Sequence, residues 1–303
     1  MNRLSLWLDS DLAWSLRRSP VTLAAAVVAL LCVGGALLAP WIAPHDPFDL
    51  AALDLMDALA PPAWLAEGRW RFPLGTDDQG RDVLSGILHG ARISVAVGVA
   101  SVLLSALAGV ALGLLAGYAG GAVDALVMRV ADVQLSFPAI LVALLVDGVA
   151  RIALPELAHG AAAFWVIVLS IALSGWVQYA RTVRGSTLVE ARKEYVQAAR
   201  LIGRHPAAVV LRHILPNVTG PVLVIATIHL ATAITTEATL SFLGVGMPAT
   251  TPSLGTLIRI GNDFLFSGEW WITLFPGLAL VALVLSVNLL GDWLRDALNP
   301  RLA

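Results

Sequence analysis

Six candidate membrane spans in this 303-residue chain contain no Asp, Glu, Lys or Arg, and five of them are long enough to cross a bilayer. They run over 19–44, 93–123, 133–146, 161–180, 213–236 and 270–291. A spanning helix needs about 20 mostly apolar residues. The third stretch, at 14 residues, is short. Its deficit disappears if the helix starts near Met128, with Arg129 and Asp132 reaching back to the interface. Overall 58% of the residues are apolar and 13% charged, against about 45–50% and about 25% in soluble domains. A water-soluble enzyme and a disordered chain are both excluded. The expectation is an all-α membrane protein with six transmembrane helices.

The first stretch follows Arg17 and Arg18, as a signal peptide would, but a signal core runs only about 7–15 residues. This one is longer and is read as a retained anchor. Orientation follows from the basic residues, of which 18 are Arg and one, Lys193, is Lys. With the N-terminus inside, the cytoplasmic segments 1–18, 118–132, 181–213 and 292–303 hold 13 of the 19. The opposite orientation exports the densest segment, 181–213, so N-in and C-in is expected. The chain then divides into a tail (1–18), a first helix (19–44), an extracytoplasmic loop (45–92), a five-helix core (93–294) and a tail (295–303). The 45–92 loop is acidic and proline-rich, and reads as solvated and partly irregular. Segment 244–269 carries turn residues, and Trp270 and Trp271 read as interfacial anchors.

Several chemistries are missing. A phosphate-binding loop needs Gly-Lys-Ser/Thr, and Lys193 lies between Arg192 and Glu194. Nucleotide hydrolysis therefore falls to a partner. The histidines include no i,i+4 pair for a zinc helix, and no nucleophile elbow or dinucleotide fingerprint is present. Cys32 is the single cysteine, so no intrachain disulfide or cysteine metal cluster forms. Basic and aromatic residues do not interleave as nucleic-acid binding requires. No catalytic residue, cofactor or metal ligand is expected.

Segment 181–216 is too long for a minimal connector. Tyr195, Ala198, Ala199 and Ile202 share a face by i,i+3 and i,i+4 spacing, following Glu194 at the start of the pattern. Gly203 falls where a helix would end in a left-handed residue, and Pro206 where a second would start. A helix, a sharp turn and a second helix are implied. On composition alone, a basic helix lying on anionic lipid fits as well.

The wording is more specific. Gln197-Ala198-Ala199, then Gly203, then Leu215-Pro216 resembles the "EAA" loop of binding-protein-dependent ABC importer permeases, with Gln197 for Glu and His213 for Ile. The segment from Leu74 through Gly75-Thr76-Asp77-Asp78-Gln79-Gly80-Arg81-Asp82 to Ser85, continued by Gly90-Ala91-Arg92-Ile93-Ser94, resembles the dipeptide/oligopeptide/nickel branch. So do Asp124, Met128-Arg129 and Asp132 before Pro138, Glu237 with Leu240 to Gly244, and Asn288 to Asp296 with Asn299-Pro300. The resemblance covers about 20–303 and is closest to the C-type dipeptide permeases. It implies a six-helix type I importer subunit in a bacterial inner membrane, paired with a homologous permease, two ATPase subunits that bind ATP and Mg, and an extracytoplasmic binding protein. The 181–216 loop would dock on an ATPase. Dipeptides or short oligopeptides are the implied solutes. Nickel, glutathione or another small solute is the alternative, and an ion-coupled secondary transporter is the rival class.

Glu237 is read as the carboxylate deep in an apolar stretch. It either hydrogen-bonds Thr235, Thr236 or Thr239, lines the translocation path, or faces the partner permease. His229, two turns earlier, is an interior histidine or a path residue. Asp77, Asp78, Arg81 and Asp82 form a turn with local caps, or touch the binding protein.

Overall fold

The computed structural model describes residues 15–16, 18–49, 53–153 and 161–297. Most of the N-terminal tail, Arg17 and the Asn299-Pro300 pair lie outside the described residues. Among those described the chain is helical, with one isolated bridge between Thr76 and Asp82. The long helices are α1 (Pro20–Ile42), α2 (Val83–Ala119), α3 (Gly121–Leu135), α4 (Ala139–Ala153) and α5 (Ala161–Glu190). Short α6 (Glu194–Leu201) and α7 (Pro206–Val209) follow. A π-helical turn (Val210–Ile214) then leads into α8 (Leu215–Phe242), before α9 (Leu254–Asn262) and α10 (Trp271–Ala297).

Five of these helices, taking α7 through α8 as one rod, are long and apolar enough to cross a membrane. A sixth exists if α3 and α4 form one span, and they meet at 93°. The expected third span beginning near Met128 is corrected here. The helix starts at Gly121 and breaks at 136–138, because Pro138 has no N–H and disfavours helix at Phe137. Helix starts elsewhere follow local chemistry. Ser19 caps α1 ahead of Pro20, and Asp82 caps α2 by accepting from Ser85 N at 2.8 Å.

The core is built on α2 and α5. Ser101 Oγ donates to Val168 O and Ser105 Oγ to Ala172 O, both 67 residues apart, so the two helices run parallel in constant register. Gly109, Gly113 and Gly117 continue the same stripe. A Cβ on Gly109 would lie 2.4 Å from Trp176 O, and one on Gly113 2.6 Å from Ala180 O. The backbones therefore approach as only small residues permit. Helix α8 packs across this pair through Ala233 and Leu240. Helices α1 and α10 close the flank around Ala36, Ala91 and Leu283.

Within the expected loop 45–92, residues 53–82 are largely irregular, as expected, but several of their polar side chains are buried in a lobe. Thr76 is fully buried; its hydroxyl donates to Asp57 O at 2.6 Å and accepts from Ala60 N at 2.8 Å. Arg69 holds buried Asp57 at 2.7 Å. Trp271 is buried and donates from Nε1 to Thr76 O at 3.1 Å, so it is a pillar of this lobe and not an interfacial anchor. Of Trp270 and Trp271, Trp270 is the exposed one.

Candidate functional site

At the end where α2 stops, the segment after α5 folds into the expected helix, turn and second helix. Glu194 sits in the first turn of α6, where a carboxylate complements the helix dipole. Gly203 has φ +74°, a conformation that a side chain penalises, and its N–H closes onto Arg200 O at 3.0 Å. The His205 side chain caps α7 ahead of Pro206. Tyr195 Oη donates to Glu190 and accepts from Asn217 Nδ2 at 3.1 Å, while Lys193 Nζ reaches the same carboxylate at 2.6 Å. The hydrogen bond to Glu190, with burial behind it, pushes the Tyr195 hydroxyl up to about 12, so it stays protonated and keeps donating. Gln197, in the family's glutamate position, donates to Arg192 O at 2.9 Å and closes the turn from α5.

The shared face expected for Tyr195, Ala198, Ala199 and Ile202 is corrected. Val196 and Ala199 are buried against Leu114, Val183, Val209, Ile214 and Val218, with Leu215 packed beside them. Tyr195, Ala198, Leu201 and Ile202 point outward, and Leu201 is 88% and Ile202 73% exposed. Ala199 is thus small because α6 must seat on its own long helices. Pro216 is exposed in the first turn of α8.

At the opposite end of the bundle lies a buried polar clasp. Glu237 is fully buried. Ser94 Oγ on α2 donates to its Oε2 and Ser241 Oγ to its Oε1, both at 2.7 Å. Met247 N donates to Ser241 Oγ at 3.0 Å, and Leu254 N to Ser94 Oγ at 3.3 Å. The carboxylate thereby joins α2, α8, the 243–253 turn and the start of α9. Thr235 and Thr239, expected as its partners, bond backbone carbonyls of their own helix instead. His229 is also buried, with Nδ1 3.1 Å from Tyr179 Oη; it occupies the space that a Cβ on Gly175 would fill.

Asp77 and Arg81 are buried and paired at 2.6 Å, and Asp82 is the cap of α2. Asp78 is half-buried, and its carboxyl is pushed up by burial and by neighbouring Asp77. The sequence reading missed Asp147 of α4, which is fully buried. Its position inside a charge-poor helix was the available signal. It also missed the cross-links from α3 to α5, where Asp124 takes Arg184 through two contacts and Asp132 takes Arg181. Opposite charges at the ends of adjacent apolar stretches are the trace these pairs leave in sequence.

Residues 109–303 match the family described as binding-protein-dependent transport system inner membrane component. The chain belongs to this family. Residues 5–62 of the permease match the N-terminal transmembrane domain of oligopeptide transport permease C. It is 39% identical over 273 residues to the di/tripeptide transport system permease protein DppC of Pseudomonas aeruginosa, covering 90% of this chain and 86% of the relative. The oligopeptide permease OppC of Bacillus subtilis is 34% identical, covering 99% and 91%. The dipeptide permease DppC of Escherichia coli is 40% identical, covering 88% and 84%. Among solved structures, an inward-facing form of the MetNI methionine ABC transporter matches at TM-score 0.54 and 19% identity, over 70% of this chain and 96% of that one. That likeness concerns the fold. The permease is an integral membrane subunit of a bacterial ABC importer.

Proposed function

We propose that this permease is a C-type subunit that moves dipeptides or short oligopeptides across a bacterial inner membrane. It pairs with a homologous permease and receives solute from an extracytoplasmic binding protein. Two ATPase subunits, which bind ATP and Mg, drive it; the chain itself catalyses no covalent chemistry. The named functions of the relatives support the solute class. The observation that carries the coupling role is the two-sided α6: Val196 and Ala199 are seated in the bundle while Leu201 and Ile202 are presented outward. A helix anchored on one side, with apolar Leu201 and Ile202 exposed at its end, transmits displacement of a docked ATPase into α2, α5 and α8.

Six crossings with both ends cytoplasmic accord with the packing. Parallel α2 and α5 require the chain between them to return, which the bent α3–α4 pair does in this reading. Trp293 Nε1 donates to Ser15 Oγ at 3.3 Å, which supports the two ends of the chain sharing a side. A path between two permeases would be open to solvent in one subunit alone. Buried Glu237 and His229 therefore enter this reading as internal ties. On the outer lobe, Asp78 is the more accessible of the four residues considered for binding-protein contact.

The test is deletion of the gene followed by uptake of a labelled dipeptide. Uptake should be lost and restored by the wild-type gene. A Leu201→Asp, Ile202→Asp double variant should reach the membrane, lose ATPase subunits on purification and fail to restore uptake. Unchanged uptake after deletion overturns the solute. Full ATPase retention with normal uptake in the double variant overturns the role of α6.

A further inference from the structure

A second surface lies beside the loop and is separate from the outward face of α6. The last turns of α2 and the rod entering α8 border an open groove of about 390 Å³. Ala111, Leu115, Tyr118, Pro206, Val210 and Leu211 line it, and its surface is almost wholly apolar. Leu115 and Leu211 are each more than half exposed. In water such a groove is costly, but α2 is a membrane-spanning candidate and the groove covers its final two turns.

The charges around the mouth are selective. Of the basic residues in 181–213, Arg181, Arg184 and Lys193 are matched by Asp132, Asp124 and Glu190. Among the described residues no ion pair involves Arg192, Arg200, Arg204 or Arg212, and all four are exposed; the last three are the ones beside the groove or its lining segment. The Arg200 guanidinium sits 4.7 Å above the ring of Tyr118, a groove residue. Arg204 and Arg212 flank the lining segment Pro206 to Leu211 on either side in sequence. An apolar slot with Arg200 over one of its lining rings, and with Arg204 and Arg212 next to its lining segment in sequence, matches an acyl chain carrying an anionic head.

We infer that this groove is a site for an anionic phospholipid of the cytoplasmic leaflet, its acyl chain between α2 and the α7–α8 rod and its phosphate near Arg200, Arg204 and Arg212. The inference rests on the cytoplasmic placement of the loop proposed above. A lipid bound there contacts the seat of α6, so it would stiffen the coupling loop from the membrane side.

The test uses the assembled transporter reconstituted in vesicles of phosphatidylcholine and phosphatidylglycerol, re-extracted, with retained lipid measured by mass spectrometry. The wild type should enrich phosphatidylglycerol roughly tenfold over the bulk ratio. The triple variant Arg200→Gln, Arg204→Gln, Arg212→Gln should bring retention close to the bulk ratio, and Leu115→Trp should displace the lipid by filling the slot. Undiminished enrichment in both variants, with the complex intact, overturns the site. If either variant fails to assemble, a photoreactive benzophenone side chain at position 211 decides. Capture of phosphatidylglycerol supports the site, and capture of the second permease shows that protein covers the groove. Because lipid retention is read without substrate or ATP, its failure is distinct from failure of the transport reading. Outside labelling of the loop would remove the leaflet assignment alone.

Discussion

Glu237 shows how a single acidic side chain can be tolerated inside an apolar helix. Two serine hydroxyls donate to it from different directions, and one of them is itself braced by the N–H of Leu254. Removing the acceptor strands both donors, and each buried unsatisfied group costs about 1–3 kcal/mol. Glu237→Ala should therefore lower the thermal midpoint of the purified complex markedly and depress uptake of charged and neutral peptides alike. Glu237→Gln, which keeps an acceptor oxygen, should be close to wild type. A loss confined to charged peptides, with stability unchanged, would return Glu237 to the translocation path. The isolated position of this carboxylate was legible in the sequence, but its partners were not. Ser94 is 143 residues away, and only the tertiary fold brings it close. Asp78 offers a test of opposite sign. Its pKa is raised by burial, so ionising it costs stability as pH rises from the ordinary carboxylate value through the raised one. Asp78→Asn should raise the unfolding midpoint at neutral pH, and the gain should fade in acid. A gain that persists at low pH would mean the effect is not one of ionisation.

At the scale of elements, α2 and α5 approach each other closely along a stripe of small residues. Gly113 has Ala180 O and Val183 Cβ within 3 Å of where its own Cβ would stand. Gly113→Leu must part the helices and should cost about 1–3 kcal/mol, measurable as a lower midpoint and reduced membrane level. Gly185→Ala, with open space around it on α5, serves as the control and should be neutral or mildly stabilising. Equal effects at the two sites would show that the stripe does not hold the pair together. The helices themselves were legible from charge-free stretches, caps and prolines. The stripe was present as Ser101, Ser105, Gly109, Gly113 and Gly117, four residues apart, but periodicity does not say which helix a small face meets. The same limit explains α6. Spacing grouped Ala199 with Tyr195 and Ile202, and only packing on Ile214 and Val218 reveals that Ala199 points inward.

For the whole molecule, orientation is the property on which the other functional readings depend. In a Cys32→Ser background, Arg204→Cys and Ala66→Cys, both at exposed positions, should react oppositely with an impermeant thiol reagent in intact cells. Ala66→Cys should label and Arg204→Cys should not; the reverse overturns the N-in assignment. The long apolar helices were largely readable from the charge-free stretches of the chain. The 53–82 lobe was not, because its buried Asp57, Thr76 and Asp77 look in sequence like any solvated polar turn, and their partners are spread from Ala60 to Trp271. The fixed 67-residue offset between α2 and α5 also bears on how such a chain can change in length. One residue added within either helix turns everything beyond it by about 100°, which swings the glycines off the neighbour and brings bulky leucines in. Insertions and deletions in homologous chains should therefore collect in the stretch between Leu135 and Ala161 or in the 53–82 lobe. They should be absent from 101–117 and 168–187, where a length change in one helix has no local remedy in the other.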